Sequence, residues 1–246
     1  MLGLLREYDL AKLWKGDTKE RKENPTLQGF FGPDHYRFAL AFTSVQRDAR
    51  HPEVYHVQGK CRYRKNVRPF SGTITVRQLA DADVYYSPQD GSFYPPHDDA
   101  MPGDTVQARY ERAVSEARCY TLRAQLKLQE ASAENSGIFE GEVLLNFYTA
   151  PGRRTGYAGA PSLNDKEPAG GSSLLMRGAR RNMSTRQVKQ FVVADDVFAA
   201  APEVLKDFGI GERGYEINPK YNKLGWNELW ENDEWWADSP KPRLSL

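Results

Sequence analysis

The feature that most constrains the fold is a two-residue repeat of apolar side chains in several separate segments of the chain. In Cys119–Leu128, apolar side chains occupy every second position from Tyr120 onwards, and polar or charged residues such as Arg123 stand between them. Successive side chains of a β-strand point to opposite faces, so this spacing predicts a strand with one buried face. The residues also suit a helix, but apolar positions two apart would surround its whole circumference.

The same period recurs along much of the chain and predicts strands over 36–45, 54–64, 70–76, 139–147 and 187–193. Two of these segments open with Phe-x-Gly, at Phe70 and Phe139. A glycine inside a strand is typical of a bulge, a sharp bend or a close backbone approach that lets a sheet curl. The pattern therefore predicts a mainly β fold: an antiparallel up-and-down barrel or strongly curved sheet of the calycin or lipocalin type, with a short C-terminal helix.

The length of 246 residues predicts a single β domain over residues 1–246, with the sheet core in 35–193 and a helical, aromatic extension in 194–246. Within the extension, a short helix is predicted over 197–208, interrupted by Pro202, and an acidic amphipathic helix over 227–238. Trp226 and Trp230 fall on one face and are expected to cap the barrel, whereas Trp235 falls on the opposite face.

A stretch of the extension carries a family resemblance. Asp207-Phe-Gly-Ile-Gly-Glu-Arg-Gly-Tyr-Glu-Ile-Asn-Pro-Lys-Tyr-Asn-Lys-Leu-Gly-Trp226, together with Phe70–Val76, resembles a group of uncharacterised bacterial proteins, many from Bacteroidetes. The resemblance covers about a tenth of the chain. It implies a β-rich domain with a short C-terminal extension and brings no catalytic residue with it.

Composition and charge argue against several classes of partner. The net charge of +1 argues against a nucleic-acid partner. No segment approaches the ~18 apolar residues of a membrane span, and the apolar start of the chain runs into Arg6 and Glu7 without a signal-peptide core. We therefore expect a soluble, cytoplasmic protein, with an exported mature form left open. Cys61 and Cys119 lie in predicted strands and are interpreted as buried free thiols, with one cross-sheet disulfide as the alternative.

The search for chemistry names no catalytic residue, metal site or cofactor. The four histidines form no pair with metal-ligand spacing, and the cluster from His97 to Asp99 is interpreted as solvated acids in a proline-rich loop. Glu140 and Glu142 share a strand face, which suits a hydrolase pair but is more typical of a solvent-exposed face. The arginines of 153–186 could hold an anion, although a solvated surface paired with the acidic C-terminal part is favoured.

Three functions stay open. The leading hypothesis is a non-enzymatic binding protein with an apolar pocket or concave face for a small hydrophobic ligand. Six aromatic residues are expected to point into that interior: Phe38, Phe42, Tyr55, Tyr63, Phe139 and Phe147. The second is a protein-interaction module of the inhibitor or immunity type, with Trp230 and Trp235 as partner-binding residues. The third is a hydrolase-like enzyme.

Overall fold

The fold was analysed in a computed structural model, which describes residues 1–16, 25–82, 85–87, 92–94, 117–131, 135–150, 152–158, 172–211, 216–229 and 234–238. Strands predominate, and nine of them form one antiparallel sheet that curls into a ring, so the mainly β prediction is confirmed. The strands in chain order are β1 (Leu27–Phe31), β2 (Tyr36–Arg47), β3 (Val54–Tyr63), β4 (Asn66–Asp81), β5 (Tyr85–Ser87), β6 (Ser92–Tyr94), β7 (Arg118–Glu130), β8 (Gly137–Ala150), β9 (Arg154–Tyr157), β10 (Leu174–Asn182), β11 (Val188–Ala194), β12 (Gly209–Ile210) and β13 (Glu216–Ile217).

Eight strands close the ring in the order β1-β2-β3-β4-β7-β8-β10-β11. Closure comes from the pairing of β11 with β1 and of β10 with β8. β9 pairs with the last residues of β8, while β5–β6 and β12–β13 form separate two-stranded sheets. The ring begins at Leu27, ahead of the predicted sheet core of 35–193, because β1 is part of it.

The connections give the two ends of the barrel different characters. The turns at 32–35, 64–65 and 183–187 lie at one end of the barrel, where β7 also ends at Glu130 and β8 begins at Gly137; we call it the hairpin end. The turn between β2 and β3 and the N-terminal segment of residues 1–16 lie at the other end. A ligand site inside the barrel can therefore open at either end, and packing decides which.

The N-terminal segment fills the second end, which we call the plugged end. It forms two short helices, α1 (Leu2–Glu7) and α2 (Ala11–Lys15). Trp14 is 1% exposed and lies edge-on to Tyr55, with ring centroids 5.8 Å apart. The backbone N–H of Leu10 donates to the Tyr55 hydroxyl at 3.3 Å, and the Tyr157 hydroxyl donates to the carbonyl of Leu13. Apolar packing and hydrogen bonds together close this end of the barrel.

Glycines allow the backbones of the curled sheet to approach closely. Gly141 of β8 stands directly opposite Gly178 of β10, where the ring closes. A Cβ added at Gly141 would lie 2.2 Å from the carbonyl oxygen of Arg177, and one at Gly72 would lie 2.0 Å from that of Lys127. The close approach predicted for the two Phe-x-Gly strands is thus present in both.

The C-terminal extension packs on the outer face of the barrel. It contains α3 (Val197–Ala200), whose N-terminus is capped by Asp196, and 3-10 turns over Ala201–Glu203, Pro219–Leu224 and Trp226–Glu228. A short helix near the C-terminus is therefore confirmed. The helical turns begin earlier than the predicted 227–238, because Pro219 starts one of them, and Gly225, with φ 88°, separates it from the next.

Trp226 differs from its predicted position at the barrel end. Its ring contacts Phe30 and Phe208, with centroid distances of 4.8 and 4.7 Å. Phe30 belongs to β1, and its side chain points away from the barrel interior into a separate apolar cluster. The extension therefore covers the outside of β1. In the described part of the chain, each helix is too short or too polar to cross a bilayer.

Candidate ligand site at the hairpin end

The six aromatic residues predicted to line a pocket all join the core cluster inside the barrel, but in two groups. Phe42, Tyr55 and Phe147 are buried in the packed interior, with Tyr55 directly against α2. The other three line a cavity of about 230 Å³ at the hairpin end: Phe38, Tyr63 and Phe139. The structure therefore brings half of the predicted ligand residues to one open cavity, and the ligand role of all six remains a prediction.

Aromatic rings form the apolar part of this cavity. Phe38 and Phe139 stack with centroids 5.6 Å apart and an interplanar angle of 18°. Phe31 and Tyr63 meet edge to face, with centroids 4.9 Å apart. These rings lie at the boundary between the packed interior and the open mouth, where they offer flat apolar surface to a ligand.

The charged part of the cavity comes from inward-facing positions near the hairpin ends of four strands. The inward alternation that carries Phe70 and Leu128 continues by two residues to Arg68 in β4 and Glu130 in β7. Inward-facing positions of β10 and β11 likewise carry Arg180 and Lys189, both of which line the cavity. The residue order of each strand thus places charge at the mouth of the barrel and apolar side chains below it.

Glu130 lies at the centre of the charged group. Its side chain is only 3% exposed, and its Oε2 accepts a hydrogen bond of 2.6 Å from Nη2 of Arg180. Nη1 of Arg68 lies 3.7 Å from the same oxygen. The thiol of Cys61 donates to Oε1 at 3.5 Å. A buried carboxylate requires such compensation, and here two arginines and a thiol provide it.

Cys61 remains a protonated thiol in this setting. Burial first, and then the negative charge and hydrogen bond of Glu130, raise the pKa of the Cys61 thiol far above its ordinary value. Because the thiolate is the nucleophilic form, this environment disfavours a catalytic cysteine. The role of Cys61 is to donate a hydrogen bond to the carboxylate. Cys61 and Cys119 are both buried and neither forms a disulfide, as the first interpretation expected.

Arg180 is held in place from several sides. Besides Glu130, its Nη2 donates to the carbonyl of Asn135 at 2.5 Å, and its guanidinium lies 5.8 Å from the centroid of the Phe139 ring. A Cβ on Gly137 would come within 2.6 Å of its Cζ, so the glycine leaves the space that the guanidinium occupies. Arg180 is therefore held in place by Glu130, by the Asn135 carbonyl and by the Phe139 ring.

The side chains of Arg68 and Lys189 have fewer polar contacts than that of Arg180. Nη1 of Arg68 is shielded from solvent, yet it has no hydrogen-bond partner among the described residues. The Arg68 side chain as a whole is 29% exposed and lines the cavity. The ammonium of Lys189 lies 5.8 Å from the centroid of the Phe31 ring. Among the described residues, these two cations of the cavity lining therefore have fewer polar contacts than Arg180.

The other candidates from the sequence lie on the outer surface. Glu142 forms salt bridges with Arg123 and Arg177, each at 3.2 Å, and Glu140 pairs with Lys127 at 3.1 Å. The solvent-exposed interpretation of the two glutamates agrees with these outward positions. The partners found for Arg177 and Arg180 are glutamates of the barrel, Glu142 and Glu130, and not the acidic C-terminal part proposed for the basic segment.

The tryptophans proposed to bind a partner are only partly described. Trp230 lies outside the described residues. Trp235 is partly buried: its ring packs edge-on against Trp236 at 5.8 Å and lies 5.2 Å from the guanidinium carbon of Arg62. Asp238 forms a salt bridge with Lys60, with 3.0 Å between Oδ1 and Nζ. These contacts attach 234–238 to the outer face of β3, and a partner-binding role for Trp235 stays a prediction.

The His97 to Asp99 cluster also lies outside the described residues. Elsewhere in the described ranges, no three histidine, cysteine or acidic side chains converge in a way that could hold a metal ion.

Sequence reasoning named Arg180 only as part of the basic segment of 153–186, and it missed Arg68, Glu130 and Lys189. Arg68 and Glu130 occupy positions of the two-residue repeat whose side chains point into the barrel. A charged residue at such a position, where the repeat predicts an apolar one, is the sequence feature that could have revealed them. Comparison of the chain with protein-family models, curated proteins and solved structures gave no match. The resemblance of 207–226 to the bacterial group therefore stays a prediction, and the candidate site stands on its geometry.

Proposed function

We propose that this protein is a non-enzymatic binding protein that takes a small, largely apolar ligand into the hairpin end of its barrel. The observation that carries the proposal is the cavity of about 230 Å³ lined by Phe38, Tyr63 and Phe139. Binding sites for small molecules are concave and mostly apolar, with a few polar groups that fix orientation. The cavity has this composition.

The difference between the two ends of the barrel supports the proposal. Trp14 and Leu13 of α2 are buried in the core at the plugged end, whereas the hairpin end keeps its aromatic rings at an open mouth. Small eight-stranded barrels of the lipocalin type hold one ligand in their interior, and the analogy supports the proposal at the level of fold only. The cavity is smaller than the roughly 300–1,000 Å³ of common ligand pockets, which favours a compact ligand.

The test is a screen of small molecules by native mass spectrometry and thermal shift, because a ligand that binds only the folded state raises its apparent stability. Asn66 lines the cavity at its rim, so Asn66→Trp should block the mouth and remove the binding. Val67→Trp is the matched control, because Val67 is the next residue along β4 and is 41% exposed on the opposite face. The proposal is wrong if ligands bind Asn66→Trp as tightly as the unmodified protein, or if the screen finds no ligand.

A further inference from the structure

We infer that the ligand of this cavity is an organic acid: a compact apolar body with a carboxylate that binds to Arg68, supported by the positive charge of Lys189. This inference rests on the proposed function and specifies the chemical class of its ligand. It comes from the charge balance of the barrel mouth and from the state of the Arg68 guanidinium.

The described lining of the cavity carries an excess of positive charge. Three cations, Arg68, Arg180 and Lys189, face a single carboxylate, that of Glu130. Arg180 and Lys189 are also directly opposite each other in the pairing of β10 with β11. Like charges at directly opposed positions of a sheet are destabilising. An anion bound in the cavity would relieve this repulsion, whereas a cationic ligand would add to it.

Glu130 cannot neutralise all three cations. Its Oε2 takes the short hydrogen bond of 2.6 Å from Arg180, and its Oε1 accepts from the thiol of Cys61. Arg68 approaches the same carboxylate only to 3.7 Å, beyond the distance of a normal hydrogen bond. The carboxylate therefore compensates Arg180 first, and Arg68 keeps donors for another acceptor.

The Arg68 guanidinium has the geometry that a carboxylate requires. Its Nη1 is shielded from solvent without a hydrogen-bond partner among the described residues, a state that costs free energy until an acceptor arrives. A guanidinium presents a planar fork of donors that matches the two oxygens of a carboxylate. The stacked rings of Phe38 and Phe139 lie in the same cavity and would receive the apolar body.

The experiment uses matched pairs of acids and amides with the full-length protein. The probes are hexanoate and hexanamide, phenylacetate and phenylacetamide, and 1-naphthylacetate and 1-naphthylacetamide, with dissociation constants from calorimetry or ligand-detected NMR. Within each pair that binds, the acid should bind on the order of tenfold to a hundredfold more tightly, as expected for charge-assisted hydrogen bonds. Arg68→Met should abolish this preference, and Arg68→Lys should retain part of it.

Arg177→Met is the matched control, because Arg177 lies on the same strand as Arg180 but points to the outer face, where it pairs with Glu142. It should leave the preference for acids unchanged. Far-UV circular dichroism and the unfolding midpoint check that each variant is folded. A preference lost in Arg68→Met but kept in Arg177→Met supports the inference.

The outcomes separate this inference from the proposed function. If an amide binds as tightly as its acid, or if Arg68→Met keeps the preference, the carboxylate assignment is wrong while ligand binding stands. If no probe of either series binds and the general screen is also negative, the proposed function fails and the inference fails with it.

Discussion

Arg180 and Glu130 form a hydrogen-bonded ion pair that connects β10 to β7 across the intervening strand β8. The Arg180 guanidinium passes over Gly137 of β8, where a Cβ would come within 2.6 Å of its Cζ. The pair thus joins three consecutive strands at the hairpin end, and it does so with a carboxylate that is nearly removed from solvent.

Removing the negative charge of this pair should be costly. In Glu130→Gln, Arg180 and Arg68 keep their charges in a partly buried site without a counter-ion, so the free energy of unfolding should fall by about 3–5 kcal/mol. Urea denaturation followed by circular dichroism measures the loss. The control is Glu142→Gln, whose two arginine partners lie on the outer surface, where a loss below about 1 kcal/mol is expected.

Removing both charges should be milder than removing one. A Glu130→Leu, Arg180→Met double variant replaces the pair with apolar side chains of similar size and leaves Arg68 and Lys189 as the remaining cations of the cavity lining. Its unfolding free energy should exceed that of Glu130→Gln. A double variant at least as unstable as the single one would show that the pair stabilises the barrel through its own attraction.

Stability at high pH should depend on Tyr55. Burial raises the pKa of the Tyr55 hydroxyl to about 12, while the pKa of a tyrosine in the unfolded chain is about 10. The folded state therefore keeps a proton that the unfolded state releases, so the contribution of Tyr55 is complete below pH ~10 and is lost as the pH rises towards ~12. The loss amounts to about 3 kcal/mol over this interval.

The comparison that isolates this effect is the pH dependence of the unfolding free energy between pH 9 and 12 in the unmodified protein and in Tyr55→Phe. The phenylalanine variant also loses the hydrogen bond from the Leu10 N–H, which lowers its stability at neutral pH by about 1–3 kcal/mol. The difference between the two proteins should shrink as the pH rises. Parallel curves would mean that another group governs alkaline unfolding.

The sequence predicts β7, whose two faces differ in burial, and misses β1, whose two faces are both buried. β7 alternates between buried and exposed residues, and its pattern is visible in Cys119–Leu128. All five residues of β1 are buried, because Phe30 packs outward into the C-terminal cluster while Phe31 faces the barrel. A strand covered on both faces has no alternation to detect.

The N-terminal helices and the charged mouth escaped prediction for related reasons. α1 and α2 have only six and five residues, too few to show a helical period. Arg68, Glu130 and Arg180 occupy inward positions where the apolar pattern predicts hydrophobic residues, so pattern reasoning reads them as strand ends or solvated surface. Only the closed ring shows that these ends converge on one cavity. Charged residues at inward strand positions, where the pattern predicts apolar ones, are expected at functional sites.

The glycine pair that closes the barrel should tolerate no side chain. In Gly141→Ala, the new Cβ would meet the carbonyl oxygen of Arg177 at 2.2 Å, so β8 and β10 must separate. The unfolding free energy should fall by about 3 kcal/mol, the upper part of the range for overpacking, because the obstacle is backbone. Thermal and urea unfolding measure the loss.

The control for this variant is Gly3→Ala in α1, where a Cβ would meet nothing within 4 Å. Alanine is the better helix former, so this change should be neutral or stabilise by up to about 1 kcal/mol. Equal effects of the two substitutions would show that the close approach at Gly141 is not needed for closure.

The two ends of the tryptophan-rich extension should behave differently on substitution. Trp226 is 1% exposed and packs between Phe30 and Phe208, so Trp226→Ala should lower the unfolding free energy by about 3–5 kcal/mol. Trp235 is partly buried and contacts Arg62 and Trp236, so Trp235→Ala should cost about 1 kcal/mol or less. Urea unfolding of both variants measures these losses.

The same difference decides which variant can test the interaction hypothesis. Because Trp226 packs the extension against β1, loss of partner binding in a Trp226 variant would reflect unfolding of the extension. Only Trp235→Ala can test partner binding in a folded protein. A destabilised Trp235→Ala would instead make Trp235 part of the structural support of the outer face.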